Sequence, residues 1–310
     1  MARLPIVVVG EALVDVMVPM EGESSAAVGG SPLNVAVGLA RLDFPTLLIT
    51  RIGDDEHGRW IAEHVREAGV QLSETSVVPG SKTSTATAHL DEDRAARYEF
   101  ELVWDLDHHV LPDARALHVG SLGASLLPGR HAVDDLVRQA HEADLFVSYD
   151  PNIRPAFVSD PETTWRDLTE IASRARLVKV SDQDLEALRP GHPIKDLAHE
   201  LLDNGATELV VVTHGGAGAD AYTPTFVVHE DAPAVQVVDT VGAGDSFMAG
   251  LLAIIDDWDV PKDGPGSLNA MDEDRVALLL RGAMTAAAVT CSRRGANPPT
   301  RRELPPTWPL

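Results

Sequence analysis

The chain has 310 residues and a formal charge of −23, from 25 Lys and Arg against 48 Asp and Glu. This excess of acid argues against nonspecific nucleic-acid binding and against adhesion to anionic membranes. Hydrophobic residues make up 44% of the chain and charged residues 24%, as in ordinary soluble globular proteins, and the length suits one large α/β domain or two small ones.

Buried strands and amphipathic helices are predicted to alternate along the chain. The apolar runs that predict strands are residues 6–9, 47–50, 145–149, 177–180 and 209–213. The amphipathic stretches that predict helices are residues 33–42, 60–68, 131–141, 163–173 and 194–202. This alternation indicates right-handed βαβ units and a largely parallel sheet with helices on both faces.

Two pieces of the chain depart from this alternation. Residues 13–18 alternate apolar and polar side chains, and residues 83–90 with 97–103 predict a hairpin around an acidic turn. We expect these pieces to form a small antiparallel sheet that projects from the main one. Residues 235–238 read as a further strand, and the proline pairs at 298–299 and 305–306 predict a terminal tail outside the core.

Three features predict a cytoplasmic protein. Cys291 is the only cysteine, which excludes an intrachain disulfide, and its apolar neighbours indicate a buried structural thiol. The first apolar run is short and gives way to Glu11, unlike a secretory signal. No apolar stretch approaches the roughly 18 residues needed to span a bilayer.

The most informative segment is the loop at residues 239–250, Asp-Thr-Val-Gly-Ala-Gly-Asp-Ser-Phe-Met-Ala-Gly. Gly242 and Gly244 allow the backbone N–H groups to converge where a helix begins, and a helix N-terminus attracts an oxyanion. Asp245 places a carboxylate at this point, where it could accept a proton beside an anion hole. The alternative is a tight turn with an acid in the first helical turn.

A second motif, Gly29-Gly30-Ser31-Pro32-Leu33-Asn34, opens the first predicted helix. Ser31 is a candidate N-cap and Pro32 fits the first turn. The glycines permit close approach of a ligand to the backbone, and Asn34 offers a donor and acceptors. A helix start alone explains Asn34 less well, because Asn is a poor residue inside a helix.

Polar residues also follow several predicted strands, and ligands of open α/β sheets bind at the carboxyl ends of strands. Asp15 lies in an apolar frame, where it would bind a polyol or form a salt bridge. The segments that end the later strands are residues 150–155, 179–184 and 213–218, and each could instead be only a connection. Together these sites would define one crevice.

Other nucleotide and metal motifs are missing from the sequence. There is no Gly-x-x-x-x-Gly-Lys-[Ser/Thr], which excludes a P-loop, and no Gly-x-Gly-x-x-Gly follows the first strand, which disfavours a dinucleotide-binding dehydrogenase. The histidines lack zinc-ligand spacing.

With both motifs in this order, the chain resembles the ribokinase-like, or PfkB, family of carbohydrate kinases over essentially its whole length. Residues 29–34 match the Gly-Gly-x-x-x-Asn signature, and residues 239–245 match Asp-Thr-x-Gly-Ala-Gly-Asp. The segments 10–15 and 150–155 are typical of the fructokinase branch, and 2-keto-3-deoxygluconate kinases share much of both. The resemblance implies a three-layer αβα core with a mostly parallel sheet, as one domain over residues 1–310, and a β lid formed by about residues 11–28 and 80–104.

The resemblance also implies a role for each site residue. Asp245 would be the catalytic base, with the anion hole supplied by Gly242, Ala243 and Gly244. The sugar would be held by Asp15, Gly29, Gly30, Asn34, Asp150, Asn152 and Arg154. ATP would be held by Lys179, Ser181, Thr213, Gly215, Gly218 and Asn297. Asp184 would organise the water shell of Mg²⁺, although the family often carries Asn-x-x-Glu where this chain has Ser-Asp-Gln-Asp, and Asp239 would belong to a K⁺ loop.

The hypothesis that follows is an ATP-dependent sugar kinase that phosphorylates a primary hydroxyl, with fructose as the first candidate. Alternatives are 2-keto-3-deoxygluconate kinase, ribokinase, or a noncatalytic sugar- or nucleotide-binding regulator on the same fold. Its partners would be a small-molecule sugar and ATP, not nucleic acid or a membrane. Because exposed strand edges invite pairing, a homodimer through the lid is expected.

Overall fold

A nine-stranded sheet lies at the centre of the protein, and a four-stranded sheet projects beside it. The structure is a computed structural model that describes residues 3–19, 23–90 and 96–309. The strands are β1 Ile6–Val9, β2 Leu13–Val18, β3 Ser25–Gly29, β4 Thr46–Ile49, β5 Ile52–Gly53, β6 Gln71–Leu72, β7 Val77–Val78, β8 Ser84–Leu90, β9 Ala96–Glu101, β10 Ala116–Gly120, β11 Phe146–Asp150, β12 Leu177–Ser181, β13 Leu209–Thr213, β14 Ala219–Tyr222 and β15 Val227–Glu230. The helices are α1 Ser31–Arg41, α2 Glu56–Glu67, α3 Arg130–Glu142, α4 Pro161–Ala172, α5 Asp182–Leu188, α6 Ile194–Leu202, α7 Ala243–Asp257 and α8 Glu273–Cys291.

The main sheet has the order β15-β14-β13-β12-β11-β10-β1-β4-β6. The strands from β13 to β6 pair in parallel, and β14 and β15 add an antiparallel edge. Alternate side chains of the strands enter two hydrophobic clusters, so that α1, α2, α7 and α8 cover one face and α3, α4, α5 and α6 cover the other. The predicted three-layer αβα architecture is therefore confirmed.

The projecting sheet, which we call the lid, has the order β3-β2-β8-β9. β8 and β9 form the antiparallel hairpin expected from the sequence. β2, also expected, pairs antiparallel with β3, a strand that the sequence did not predict. The pairing of β2 with β8, which joins these two pairs, is parallel. The acidic turn predicted at residues 91–93 lies outside the described residues.

Two sequence expectations are wrong, and both concern exposure. Residues 235–238 form no strand; Val235, Val237 and Val238 are exposed in an irregular loop, whose Val238 amide donates to the Cys291 carbonyl at the end of α8. The terminal segment is not outside the core, since Leu304 and Trp308 are both buried in the cluster around α7 and α8.

The structure also contains elements that the sequence reading missed. The central strand β10 carries His118 in its middle, which hides the apolar run. This imidazole is buried and its Nδ1 lies 3.0 Å from Ser148 Oγ, and burial together with Lys179 lowers its pKa to about 3, so it is neutral. α8 was missed because it is apolar on most sides. Cys291, at its end, is only half-buried, and burial raises the pKa of its thiol.

No helix among the described residues is long and apolar enough to cross a membrane.

The buried terminal segment predicts a large stability effect. Trp308 is 4% exposed and its Nε1 donates to the Gly282 carbonyl at 2.8 Å. Trp308→Ala should lower the free energy of unfolding in urea by about 3–5 kcal/mol, because it leaves a cavity and an unpaired carbonyl. Val110→Ala, at a side chain that is 79% exposed, is the control and should change it by less than about 0.5 kcal/mol. Equal effects of the two substitutions would show that the segment does not anchor the core.

Candidate active site

The site lies where the N-termini of α1 and α7 meet the carboxyl ends of the central parallel strands. Asp245 is in the first turn of α7 and only 7% exposed. Two side chains from the first turn of α1 reach it: Ser31 Oγ donates to Oδ1 at 2.6 Å, and Asn34 Nδ2 donates to Oδ2 at 2.8 Å. The two sequence motifs, more than 200 residues apart, therefore share one carboxylate.

Ser31 is not the N-cap that the sequence predicted. The N-cap of α1 is Gly30, which has a φ of 110° and no side chain to offer, and Pro32 occupies the first turn as expected. A Cβ at Gly30 would lie 2.5 Å from the Glu11 carbonyl oxygen, so the close approach to β1 requires glycine. The Ser31 hydroxyl is thereby left for Asp245.

The loop before α7 has the geometry of an anion hole. Gly242 is its left-handed N-cap, with a φ of 75°, and a Cβ there would lie 2.6 Å from the Ala296 Cβ. Within the described chain, the backbone N–H groups of Gly242 and Gly244 have no acceptor. Free N–H groups at the positive end of a helix favour a bound anion.

A buried ion pair lies beneath this loop. Lys179 Nζ donates to Asp150 Oδ2 at 2.9 Å, and it lies 3.2 Å from where a Cβ on Gly244 would be. Burial lowers the pKa of Lys179, but the carboxylates of Asp150, Asp184 and Asp245 together raise it above the ordinary value. Burial raises the pKa of Asp150 to about 6 against the opposing effect of Lys179. The lysine therefore holds a positive charge directly under the anion hole.

Asp15, the sugar ligand expected from the lid, lies on β2. No hydrogen bond or ion pair to its carboxylate occurs in residues 3–19, 23–90 and 96–309, so the structural salt bridge considered from sequence is absent there. A Cβ on Gly29 would lie 2.1 Å from Asp15 Oδ2, which explains the glycine beside it. The side chain is exposed, yet the surrounding protein raises its pKa while Arg154 lowers it. A free carboxylate of this kind can accept hydroxyl groups.

The loop after β11 is tied to the start of α5. Asp184 Oδ1 accepts from the Ile153 amide at 2.9 Å, and Oδ2 accepts from the Ser181 amide at 3.0 Å. Ser181 Oγ accepts from the Asp184 amide in return, completing a capping box. Asn152 adopts a positive φ of 38° in this loop. These bonds fix the shape of the segment that carries Asn152 and Arg154.

The predicted nucleotide residues lie along a second side of the site. Thr213 ends β13, and Gly215 and Gly218 have positive φ values in the turn that follows. A Cβ on Gly215 would meet nothing within 4 Å, so this turn has an open surface. Asn297 adjoins the glycine loop through its neighbour Ala296.

Asp239 joins two loops rather than standing free. Its Oδ1 accepts from the Val241 amide at 3.1 Å and its Oδ2 from the Gly295 amide at 2.8 Å. These bonds lower the pKa of the carboxyl group, which stays ionised. The glycine loop is thus attached to the segment that carries Asn297.

Sequence reasoning missed three contributors to the site. Ser31 was assigned to capping alone. Arg41 donates from Nη1 to Asn297 Oδ1, and nothing in the sequence pairs these positions. Glu11 is buried and accepts from the Gly123 amide at 2.7 Å; burial raises its pKa to about 7. The signal for Glu11 was present, as an acid directly after a buried strand.

Comparisons with known proteins agree with this geometry. The family model described as pfkB family carbohydrate kinase matches residues 4–302. Probable fructokinase-4 of Arabidopsis thaliana is 32% identical over 318 residues, which cover 96% of this chain and 95% of that protein.

Solved structures agree as well. The crystal structure of fructokinase with bound ATP from Xylella fastidiosa has a TM-score of 0.81 at 26% identity, with 94% of this chain and 93% of that chain covered. Fructokinase from Vibrio cholerae O395, in a form with fructose, ADP and calcium ion bound, has a TM-score of 0.78 at 26% identity, with 95% and 94% covered. The chain belongs to the pfkB family of carbohydrate kinases and is a phosphotransferase that acts on a sugar hydroxyl.

Proposed function

We propose that this protein is an ATP-dependent fructokinase that transfers the γ-phosphoryl group of ATP to a primary hydroxyl of fructose. The observation that carries the proposal is the position of Asp245, a buried carboxylate that accepts hydrogen bonds from Ser31 and Asn34 of the sugar motif and directly follows the loop with the free amides of Gly242 and Gly244. Fructose is favoured because curated relatives, such as the 32% identical protein of Arabidopsis thaliana, are described as fructokinases.

In the proposed reaction, Asp245 acts as the general base. The O–H bond of the sugar breaks, its proton moves to Asp245, and the sugar oxygen forms a bond to the γ-phosphorus. The bond from phosphorus to the β,γ-bridging oxygen breaks, and ADP leaves with that electron pair. Phosphoryl transfer asks for positioning and charge stabilisation more than covalent chemistry.

Charge stabilisation falls to the glycine loop and to the cation beneath it. The Ala243 N–H, expected from the sequence to join the anion hole, donates instead to the Thr240 carbonyl at 3.2 Å. The free N–H groups of Gly242 and Gly244 would therefore meet the charge on the transferring group, and Lys179 would add a positive charge from below. This local arrangement solves the problem of binding a polyphosphate to a protein with a formal charge of −23.

The sugar would lie between the lid and the sheet. Asp15 would accept hydrogen bonds from sugar hydroxyl groups on the lid side, and Asn34 would bind hydroxyl groups on the side of α1. The backbone at Gly29 and Gly30 would approach the sugar closely. The loop with Asp150, Asn152 and Arg154 would close the far end. The nucleotide would occupy the turn with Ser181, Thr213, Gly215 and Gly218 and reach Asn297.

The described residues hold no cluster of three or more metal-ligating side chains, so Mg²⁺ would be held only through its waters, by the acids at the carboxyl ends of β11 and β12. Asp150 Oδ1 is buried and has no partner among the described residues, and Asp184 lies close enough to raise the pKa of Asp150. Asp150 and Asp184 would hold the ion through its waters, as oxygen ligands suit Mg²⁺. When bound, the ion would neutralise phosphate charge. A K⁺ ion beside Asp239 is a further part of the proposal.

Two features of assembly belong to the same proposal. The kinase would be one domain over residues 1–310, with the lid covering the sugar. A homodimer would form through the lid, whose sheet ends in the edge strands β3 and β9. A monomer by sedimentation velocity would count against the dimer.

A coupled assay of ADP release tests the substrate. With ATP and Mg²⁺, kcat/KM should be highest for fructose among fructose, 2-keto-3-deoxygluconate, ribose and nucleosides. A higher value for another sugar would reassign the substrate, and no ADP release with any sugar would favour a noncatalytic regulator.

Removing the base should abolish most turnover. Asp245→Asn keeps the shape of the side chain and should lower kcat by roughly 10²–10⁴, because the amide cannot take a proton. Asp257→Asn, at the exposed end of the same helix, is the matched control and should leave kcat unchanged. A folded Asp245→Asn enzyme with near-normal kcat would refute the assignment.

The loop geometry can be tested with two glycines of similar backbone conformation. Gly242→Ala should lower kcat/KM for ATP more than about tenfold, because its Cβ would collide with Ala296 and displace the amides. Gly69→Ala, just after α2, is the control: Gly69 ends that helix with a left-handed φ of 87° and has open space around it, so its substitution carries left-handed strain without the collision. If both variants lose activity equally, strain rather than loop placement is responsible.

A further inference from the structure

The hydroxyl of Ser31 has no role in the fold of its own helix. It is the first residue of α1 and is 5% exposed. Within the described residues its Oγ bonds only Asp245 Oδ1, at 2.6 Å, and no backbone amide of α1. A serine at a helix start ordinarily accepts a hydrogen bond from a backbone amide of that helix. The Ser31 hydroxyl instead donates to Asp245, and this contact requires another explanation.

The two oxygens of Asp245 have different surroundings. Oδ1 faces the buried Ser31. Oδ2 faces Asn34, which is half-buried and belongs to the proposed sugar site. A ligand that enters between the lid and the sheet can therefore reach Oδ2 by displacing an amide, whereas the side of Oδ1 is closed.

Close packing holds the Ser31 hydroxyl in place. A Cβ on Gly10 would lie 2.2 Å from Pro32 Cγ, and one on Gly30 would lie 2.5 Å from the Glu11 carbonyl oxygen. The first turn of α1 thus rests directly on the end of β1 on both sides of Ser31. A donor fixed this firmly keeps its acceptor in one orientation.

We propose that Ser31 is a positioning residue for phosphoryl transfer: its hydroxyl holds Oδ1 of Asp245 in one orientation, so that Oδ2 is the atom that receives the sugar proton. The inference rests on the proposed role of Asp245 as the base. On sugar binding, Asn34 transfers its amide hydrogen bond from Oδ2 to the sugar. The sugar O–H bond then breaks and its proton moves to the vacated Oδ2.

The separate effects on kcat and on KM for fructose test the proposal. Ser31→Ala removes the bond that orients Asp245, so kcat should fall about tenfold, while KM for fructose stays within about twofold. Asn34→Ala should instead raise KM for fructose, since Asn34 would contact the sugar.

Ser246→Ala is the matched control. Ser246 follows Asp245 directly and is equally buried, but its hydroxyl donates to the Ala286 carbonyl and not to Asp245. Its removal should leave kcat unchanged. Ser31→Thr keeps the hydroxyl and should retain the wild-type kcat. Ser31→Cys, a near-isosteric weak donor, should lower kcat and serves where the alanine variant does not fold.

A folded Ser31→Ala or Ser31→Cys enzyme with the wild-type kcat would overturn the proposal, as would an equal fall in kcat for Ser246→Ala. Failure of the underlying function is separately visible. If Asp245→Asn keeps its turnover, Asp245 is not the base. If that variant is inactive and the kcat of Ser31→Ala is unchanged, only the role of Ser31 is wrong.

Discussion

The packing of α1 against α7 is the constraint on which the site depends. Asp245 begins α7, but the groups that hold it, Ser31 and Asn34, begin α1. The helices approach so closely that a Cβ on Gly38 would lie 2.7 Å from the Ala249 Cβ. On the other side of α7, a Cβ on Gly250 would lie 2.9 Å from the Ala283 Cα of α8. Small residues far from the chemistry therefore set the distance between the base and its partners.

Charge is the second constraint. An acidic protein that handles ATP must gather positive potential locally, and this chain does so with loop amides, a helix N-terminus and Lys179. Lys179 is in turn surrounded by Asp150, Asp184 and Asp245, which keep it protonated. The unpartnered Oδ1 of Asp150 leaves one acceptor in this cluster for a further positive group. The same few buried residues thus support both the loop and the proposed Mg²⁺.

Much of the fold follows from the sequence, and the failures have physical causes. The five predicted strands and their helices exist because long apolar and amphipathic runs are local signals. β10 was hidden by His118, whose neutral, hydrogen-bonded ring behaves as a core residue. Residues 235–238 have the composition of a strand, but they pair with no strand among the described residues. Trp308 is buried only because it packs against α8 at Gly282, where its Nε1 donates to the Gly282 carbonyl.

The sequence by itself determined the family, the identity of the candidate base and the loop that surrounds it, because these depend on residue type and on spacing within short motifs. Tertiary structure decided what those residues bond to. Ser31 could cap its own helix or bind a distant carboxylate, and only the approach of α7 selects the second. Asp184 likewise forms the capping box of α5 and accepts a hydrogen bond from the Ile153 amide, and no local sequence pattern encodes that second contact. Motifs specify chemistry locally, whereas hydrogen-bond partners are fixed by which elements pack together.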